Sequence, residues 1–186
     1  MQQREFDTLR PPRQLICRPA SHGDLAAAAR FATEALPSVD LGDGKRFSPL
    51  LRFDPDLIQL FCSAERLVGL TAMLFLNRHG LQALWRGQLD FRDPSIAMLA
   101  PPPEPPAAIY AWLVACPGLA VAGLGAVSKL LSGPRYCRAD LYARPETHQG
   151  LQLLSHIGFK PVGHEPQDLY LYVRMRNRYN TPKVAA

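Results

Sequence analysis

The sequence predicts one mixed α/β domain in which helices cover both faces of a central sheet. Three observations carry this expectation. Segments with apolar residues at helical spacing alternate with short runs rich in Leu, Ile, Val and aromatics, the interleaving that layers helices on a sheet. Two such runs, 57–63 and 67–76, are separated only by "AER", a hairpin connection that makes the sheet mixed rather than parallel throughout. With 186 residues, 47% of them hydrophobic and 20% charged, the chain can build one well-cored domain and is short for two.

Residues 1–13 form a polar lead, and the domain is expected over 14–175, followed by a basic tail at 176–186. "QLICR" (14–18) predicts the first strand. "SHGDLAAAARFATEAL" (21–36) predicts a helix, because Ser21 and Asp24 have capping-box spacing and Leu25, Ala28, Ala32 and Leu36 recur on one face. Residues 37–56 are dense in turn formers and read as loop. After the hairpin, "NRHG" reads as a turn and "LQALWRGQLDF" (81–91) as a further strand. From 92 to 106 the prolines imply an extended loop, ending in a polyproline segment at "PPPEPP". "AAIYAWLVAC" (107–116) predicts a buried strand, which Pro117 stops. Residues 118–131 read as a loop turning into a helix, which "SGP" ends. "YCRADLYA" (136–143) then reads as a strand, "PETHQGLQLLSHIGF" (145–159) as a helix, and "DLYLYVRM" (168–175) as the last strand.

The net charge of +5, with pI near 9.2, suits an anionic ligand and does not bear on fold. Arg174, Arg176, Arg178 and Lys183 gather at the C-terminus without an acid, which reads as a solvated terminus rather than a nucleic-acid arm, since aromatic residues are not interleaved with the bases. Cys17, Cys62, Cys116 and Cys137 lack paired metal spacing and lie in or beside apolar runs, so they read as free thiols, and no metal is expected. The N-terminal segment lacks a signal-peptide core, and no long uncharged apolar run occurs; a cytoplasmic protein without membrane contact is expected.

The stretch "CPGLAVAGLGAVSKLLSG" (116–133) holds the functional signal. Gly118 and Gly123 have P-loop spacing, but Leu124 and Gly125 stand where Lys and Ser/Thr are needed, so nothing would reach the outer phosphates. For a dinucleotide fingerprint, Gly123 and Gly125 fit, Ser128 replaces the third glycine and Asp140 stands near the acid position, but the strand comes too late in the chain. A third pattern fits better. With Pro117, Gly123 and Gly125 in register, the stretch resembles the acyl-CoA loop of the GNAT-type N-acetyltransferase superfamily, Q/R-x-x-G-x-G/A after a strand-ending proline. "LICRPASHGDL", "ERLVGLTAML" and "GLQLLSHIGFKPVG" are similar to that family's first strand and helix, central hairpin, and closing helix with its "GF" turn, in the same order.

The resemblance implies a single GNAT-like domain with a mixed, mostly antiparallel sheet. It also implies an acyl-CoA ligand, acetyl-CoA first or another acyl-CoA, and transfer of the acyl group to an amine on a small molecule or protein. Ala115 and Cys116 would hold the pantetheine arm; Ala120, Val121, Ala122, Gly123, Leu124 and Gly125 would hold the pyrophosphate. A helix N-terminus suits that role, since it offers unpaired N–H donors and a positive dipole end. This chain departs from the family in three places: Ala120 stands at the Arg/Gln position, Leu154 where a tyrosine often acts as acid, and Thr147 at an asparagine position. The strand 107–116 carries no carboxylate to act as base.

Tyr136 and Tyr142 are the nearest phenols to replace the missing acid, and Tyr110 and Trp112 read as core or as lining of an acceptor pocket. Cys116 reads as a buried thiol before a nucleophile, and His148 and His156 as helix-surface residues. A non-catalytic ligand-sensing or protein-interaction module is the alternative to the enzyme. Residues 37–56 and 86–106 would choose the acceptor, and the proline-rich segment and last strand are candidate surfaces for a homodimer.

Overall fold

The structure is a computed structural model and describes residues 15–36, 44–64, 66–118, 120–163 and 168–174. Its strands are β1 (Ile16–Pro19), β2 (Ile58–Ser63), β3 (Arg66–Leu76), β4 (Ala108–Ala115), β5 (Asp140–Ala143), β6 (Lys160–Pro161) and β7 (Tyr170–Tyr172). The helices are α1 (Leu25–Ala35), α2 (Ser48–Phe53), α3 (Arg78–Trp85), α4 (Ala120–Leu131) and α5 (His148–Ile157). The strands form one 7-stranded sheet in the order β1-β2-β3-β4-β5-β7-β6. Every pairing is antiparallel except β4 with β5. The predicted mixed sheet, mostly antiparallel and sandwiched by helices, is the observed one.

Register fixes which side chains share a face. Phe75, Ile109, Leu141 and Tyr172 are partners across β3, β4, β5 and β7, and Leu74, Tyr110, Tyr142 and Leu171 form the neighbouring row on the opposite face. The first row meets the α4–α5 layer: Tyr136, in the turn after α4, stacks on Phe75 with ring centroids 4.6 Å apart. The second meets α3 and the loop behind it, where Trp85 Nε1 donates to Tyr142 Oη at 3.2 Å and Phe91 packs 4.7 Å from Tyr110. Helix α1 buries Leu25, Ala28 and Ala32 in the core cluster that also contains Ile58, Leu70 and Ala72.

Several sequence expectations change. Residues 37–43 lie outside the described residues, but 45–57 are helical rather than loop: a 3₁₀ turn (Lys45–Phe47), α2, and a second 3₁₀ turn (Pro55–Leu57). Pro49 sits in the first turn of α2, where a missing N–H costs nothing, and Leu50 and Leu51 are buried. No strand forms within 81–91: residues 81–85 belong to helix α3, and 86–91 are turn and loop. Asn77 caps α3 by accepting from Gly80 N at 2.9 Å, while its own Nδ2 donates to Ala97 O and Leu99 O. The turn-like "NRHG" is thus a helix start. Tyr136 to Arg138 lie in turns, and β5 begins only at Asp140. The proline run makes a type VI turn instead of a polyproline segment, with Pro102–Pro103 cis and Glu104 N bonded to Pro101 O at 2.8 Å. Arg174 does not belong to a free tail: its guanidinium donates to Leu131 O at 2.6 Å and its backbone N–H to Asp140 Oδ1 at 3.0 Å. The remaining tail, 175–186, lies outside the described residues.

Candidate functional site

The site begins with a break in pairing. Strands β4 and β5 run parallel from Ala108↔Asp140 to Ala111↔Ala143, and there the ladder ends. Strand β4 continues to Ala115, still paired with β3, but β5 turns off through Arg144 and Pro145 toward α5. A bulge coincides with the split. Met73 faces Ala111 and Ala72 faces Leu113, so Trp112 is the extra residue. Among the described residues, the β5-facing edge of β4 from Trp112 onward therefore has no strand partner, and its backbone groups open into a cleft of about 1220 Å³. Leu124, Gly125, Val127 and Ser128 of α4 and Leu153 and Leu154 of α5 line one side. Tyr110, Trp112, Leu113 and Val114 line it from β4, whereas Ala115 and Cys116 lie just beyond the lining.

The structure reassigns the glycines. Helix α4 begins at Ala120, so Gly123 and Gly125 lie inside it with their N–H groups committed to helical bonds, and the free donors belong to Ala120, Val121 and Ala122. A Cβ on Gly123 would sit 2.9 Å from Cys116 Sγ and 3.4 Å from Phe61. Gly123 thus lets α4 close onto the end of β4 instead of approaching a phosphate. A Cβ on Gly125 would meet nothing within 4 Å. That glycine faces the cleft and keeps it open. Val121, in the first turn, is 88% exposed.

Charge gathers on the β5 side of the cleft. Arg144, Glu146 and Asp168 line it, with Arg144 Nε 3.2 Å from Asp168 Oδ1 and the Arg144 guanidinium 5.1 Å over the Phe91 ring. Tyr110 stands beside them, only 4% exposed. Burial raises its phenol above the usual range, Arg144 opposes that shift, and Glu146 and Asp168 add to it, so the group is protonated at neutral pH. Sequence reasoning did not single out Arg144, Glu146 or Asp168. The signal was their position, since ligands in α/β sheets bind beyond the carboxyl ends of parallel strands and "RPE" follows β5 directly.

Other candidates are placed elsewhere. Tyr136 is outside the cleft lining and buried, donating to Asp56 Oδ2 at 2.6 Å and accepting from Arg135 Nη1 at 2.8 Å. Tyr142 points to the α3 side, under Trp85. Neither phenol lines the cleft, because the turn at 136–138 and the register of β5 direct them to other neighbours. Cys116 has its thiol pushed up to about 11 by burial and donates weakly to Leu70 O, which removes it as a nucleophile at neutral pH. His148 and His156 are exposed on α5 and contact Gln152. Thr147 caps α5 by accepting from Gly150 N at 3.0 Å, and Leu154 lines the cleft where a family tyrosine would stand. Among the described residues no group of three or more His, Cys, Asp or Glu could hold a metal ion, and no helix is long and apolar enough to cross a membrane.

The fold is shared with solved acetyltransferases. The chain is similar to Ard1 from Thermoplasma volcanium, with a TM-score of 0.55 and 14% identity over 87% of this chain and 99% of that one. It is similar to a GNAT-family acetyltransferase from Streptococcus agalactiae (TM-score 0.51, 12% identity, 87% and 96% covered). A third likeness is to Arabidopsis thaliana NAA60, solved in complex with a bisubstrate analogue (TM-score 0.50, 13% identity, 86% and 97% covered). No protein-family model matches the chain, and no curated protein sequence matches it. The fold is that of the solved GNAT-type acetyltransferases.

Proposed function

We propose that the protein is an acyl-CoA-dependent N-acyltransferase acting on an amine. The observation that carries this reading is the unpaired edge of β4 from Trp112 onward, open to a cleft that α4 flanks. A pantetheine arm carries amides that can pair with such an edge, as a strand would. The residues present fit that group: among the described residues the edge has no competing strand, Gly125 leaves room beside it, and the first turn of α4 presents N–H donors for a pyrophosphate. The arginine or glutamine of the family is absent at position 120, and backbone donors carry the charge instead.

When bound, an acyl-CoA would supply a thioester carbonyl open to attack by an amine. Glu146 and Asp168 offer carboxylates in a lining that also holds Arg92, Arg144 and Arg174, and either can accept the proton the amine must lose. Arg144 holds Asp168 in place and limits the repulsion between the two carboxylates. The free β4 edge supplies backbone donors where negative charge develops on oxygen. Tyr110 and Tyr172 are the phenols that line the cleft, and Tyr110, protonated at neutral pH, can donate a hydrogen bond to the sulfur of a leaving thiolate.

The experiment is a thermal shift with CoA and its acyl esters. At a hundredfold its dissociation constant, the ligand should stabilise the fold by about 2.7 kcal/mol. Val121→Glu sharpens the measurement because its two effects have opposite signs. A carboxylate in the first turn of α4 favours the free helix by a few tenths of a kcal/mol, but repels a pyrophosphate held at the same N–H groups. The expected result is an unimpaired melting temperature without ligand and at least a tenfold weaker response to CoA. The absence of any shift with CoA, acetyl-CoA or longer esters rejects the reading. Leu154 in the cleft favours one second reading, a non-catalytic module that binds the same ligand. A shift without release of free CoA across a panel of amines would establish it.

A further inference from the structure

Among the described residues, the cleft is lined by Arg92, Arg144 and Arg174, and these guanidiniums are not equivalent. Arg174 is spent on the backbone, donating to Leu131 O at 2.6 Å and to Tyr136 O at 3.4 Å on the α4 side. Arg92 is exposed, next in the chain to Phe91. The Arg144 side chain is only 18% exposed, and its guanidinium lies 5.1 Å over the Phe91 ring. Its Nε is 3.2 Å from Asp168 Oδ1 but not aligned for a hydrogen bond, and that buried atom makes none. Among the described residues no group accepts a hydrogen bond from this guanidinium. Donors so far out of water are costly until an acceptor fills them, and a planar carboxylate taking two parallel N–H bonds matches the fork.

The place of Arg144 separates it from the N–H donors of α4. Phe91, beneath it, packs 4.7 Å from Tyr110, whose row lies on the sheet face opposite the α4–α5 layer. Glu146 and Asp168 belong to the same group, since both act on the Tyr110 phenol and Arg144 opposes them. This part of the cleft thus combines Arg92 and Arg144 with two carboxylates. A diamine would meet as much positive charge as negative there. A sugar amine would leave the guanidiniums unfilled. An amine that carries its own carboxylate complements both signs, with the carboxylate on Arg144 and the ammonium on Glu146.

We propose, on the acyl-CoA reading above, that the acceptor is a free amino acid, its carboxylate held by Arg144 with Arg92 and its ammonium by Glu146. The ammonium gives up one proton through Glu146 to solvent and another to the departing sulfur, as its nitrogen takes the acyl carbon from that sulfur. Calorimetric titration of the full chain with L-amino acids and with their C-terminal amides reads the site without CoA, and release of free CoA from acetyl-CoA reads transfer. Amino acids should be favoured over their amides, and over putrescine, by roughly tenfold or more. Arg144→Met should erase that preference by weakening the amino acid alone, with the amide and CoA unaffected. If that variant does not fold, Arg144→Lys keeps the ion pair with Asp168 without the two-pronged donor face, and should lose most of the preference. Equal use of acids and amides, a preference for putrescine, or acylation of peptides with an acidic first residue but not of free amino acids overturns the proposal. Weaker CoA binding by Arg144→Met also overturns it, because the guanidinium would then serve the donor's phosphates. Amino-acid binding without any response to CoA upholds the site and overturns the acyl-CoA reading, whereas CoA binding with no response to any amino acid does the reverse.

Discussion

Gly123 and Gly125 stand two positions apart in α4 and have opposite surroundings. A methyl at 123 would press on Cys116 Sγ at 2.9 Å, whereas one at 125 would project into open space. Alanine is favoured over glycine in a helix interior by about 1 kcal/mol. Gly125→Ala should therefore raise the melting temperature of the free protein. Gly123→Ala should fall short of that gain or lower the melting temperature, since Cys116 must move. Parallel thermal melts of the two variants read the difference, and equal gains would contradict the packing assigned to Gly123. The glycine spacing was legible in the sequence, but the cause of each glycine was not. Helix α4 starts at Ala120, and that start turns one glycine toward a thiol and the other toward the cleft.

At the scale of elements, the entry to α1 shows a local signal that the fold uses and extends. The carboxylate of Asp24 accepts from Ser21 N at 2.8 Å and from Ser21 Oγ at 2.6 Å, as the spacing predicts. Arg18, at the end of β1, adds a two-point contact to the same carboxylate at 2.8 and 2.9 Å, tying strand to helix. Arg18 and Ser21 hold the Asp24 carboxyl well below the usual range, with the Arg18 hydrogen bonds the larger cause. The folded value is depressed, so this contribution is complete above the unfolded value near 3.9 and is lost as pH falls through the folded one. Asp24→Ala should cost about 1 kcal/mol at pH 6, a figure kept modest by the exposure of Arg18. Denaturant melts at pH 6 and pH 2 should show the gap between variant and parent narrowing in acid; a gap that widens would reverse the assignment. Helix α3 shows the converse. "NRHGLQALW" carries the cap of a helix, but its glycine and turn-like opening read as a turn followed by a strand. Contacts from Asn77 to residues 97 and 99 are absent from any local window.

At the scale of the whole molecule, one polar network joins parts of the chain that lie far apart in sequence. Arg135 Nη1 lies 2.7 Å from Asp54 Oδ2, with side chains 14% and 2% exposed, and donates to Tyr136 Oη, which in turn donates to Asp56. The same guanidinium reaches Glu104 O and Ala100 O, so the segment behind α2, the proline-rich turn and the turn after α4 share one cation. Removing it leaves Asp54 buried without its counter-charge, a loss of about 3 kcal/mol or more. Arg135→Met should accordingly lower the melting temperature by several degrees in a scanning calorimeter, and an unchanged value would show the pair to be dispensable. The sequence by itself determined the order of most elements, the hairpin, the sandwich of helices on a mixed sheet and the stretch of chain that flanks the cleft. Periodicity and capping are local, and they survive in any context. Only the tertiary structure decided where β4 and β5 part, that Tyr136 and Tyr142 lie outside the cleft lining while Tyr110 belongs to it, and that Arg144, Glu146 and Asp168 meet at the cleft. Those outcomes depend on strand register, a single bulged residue and contacts between segments remote in sequence, which a linear pattern does not encode.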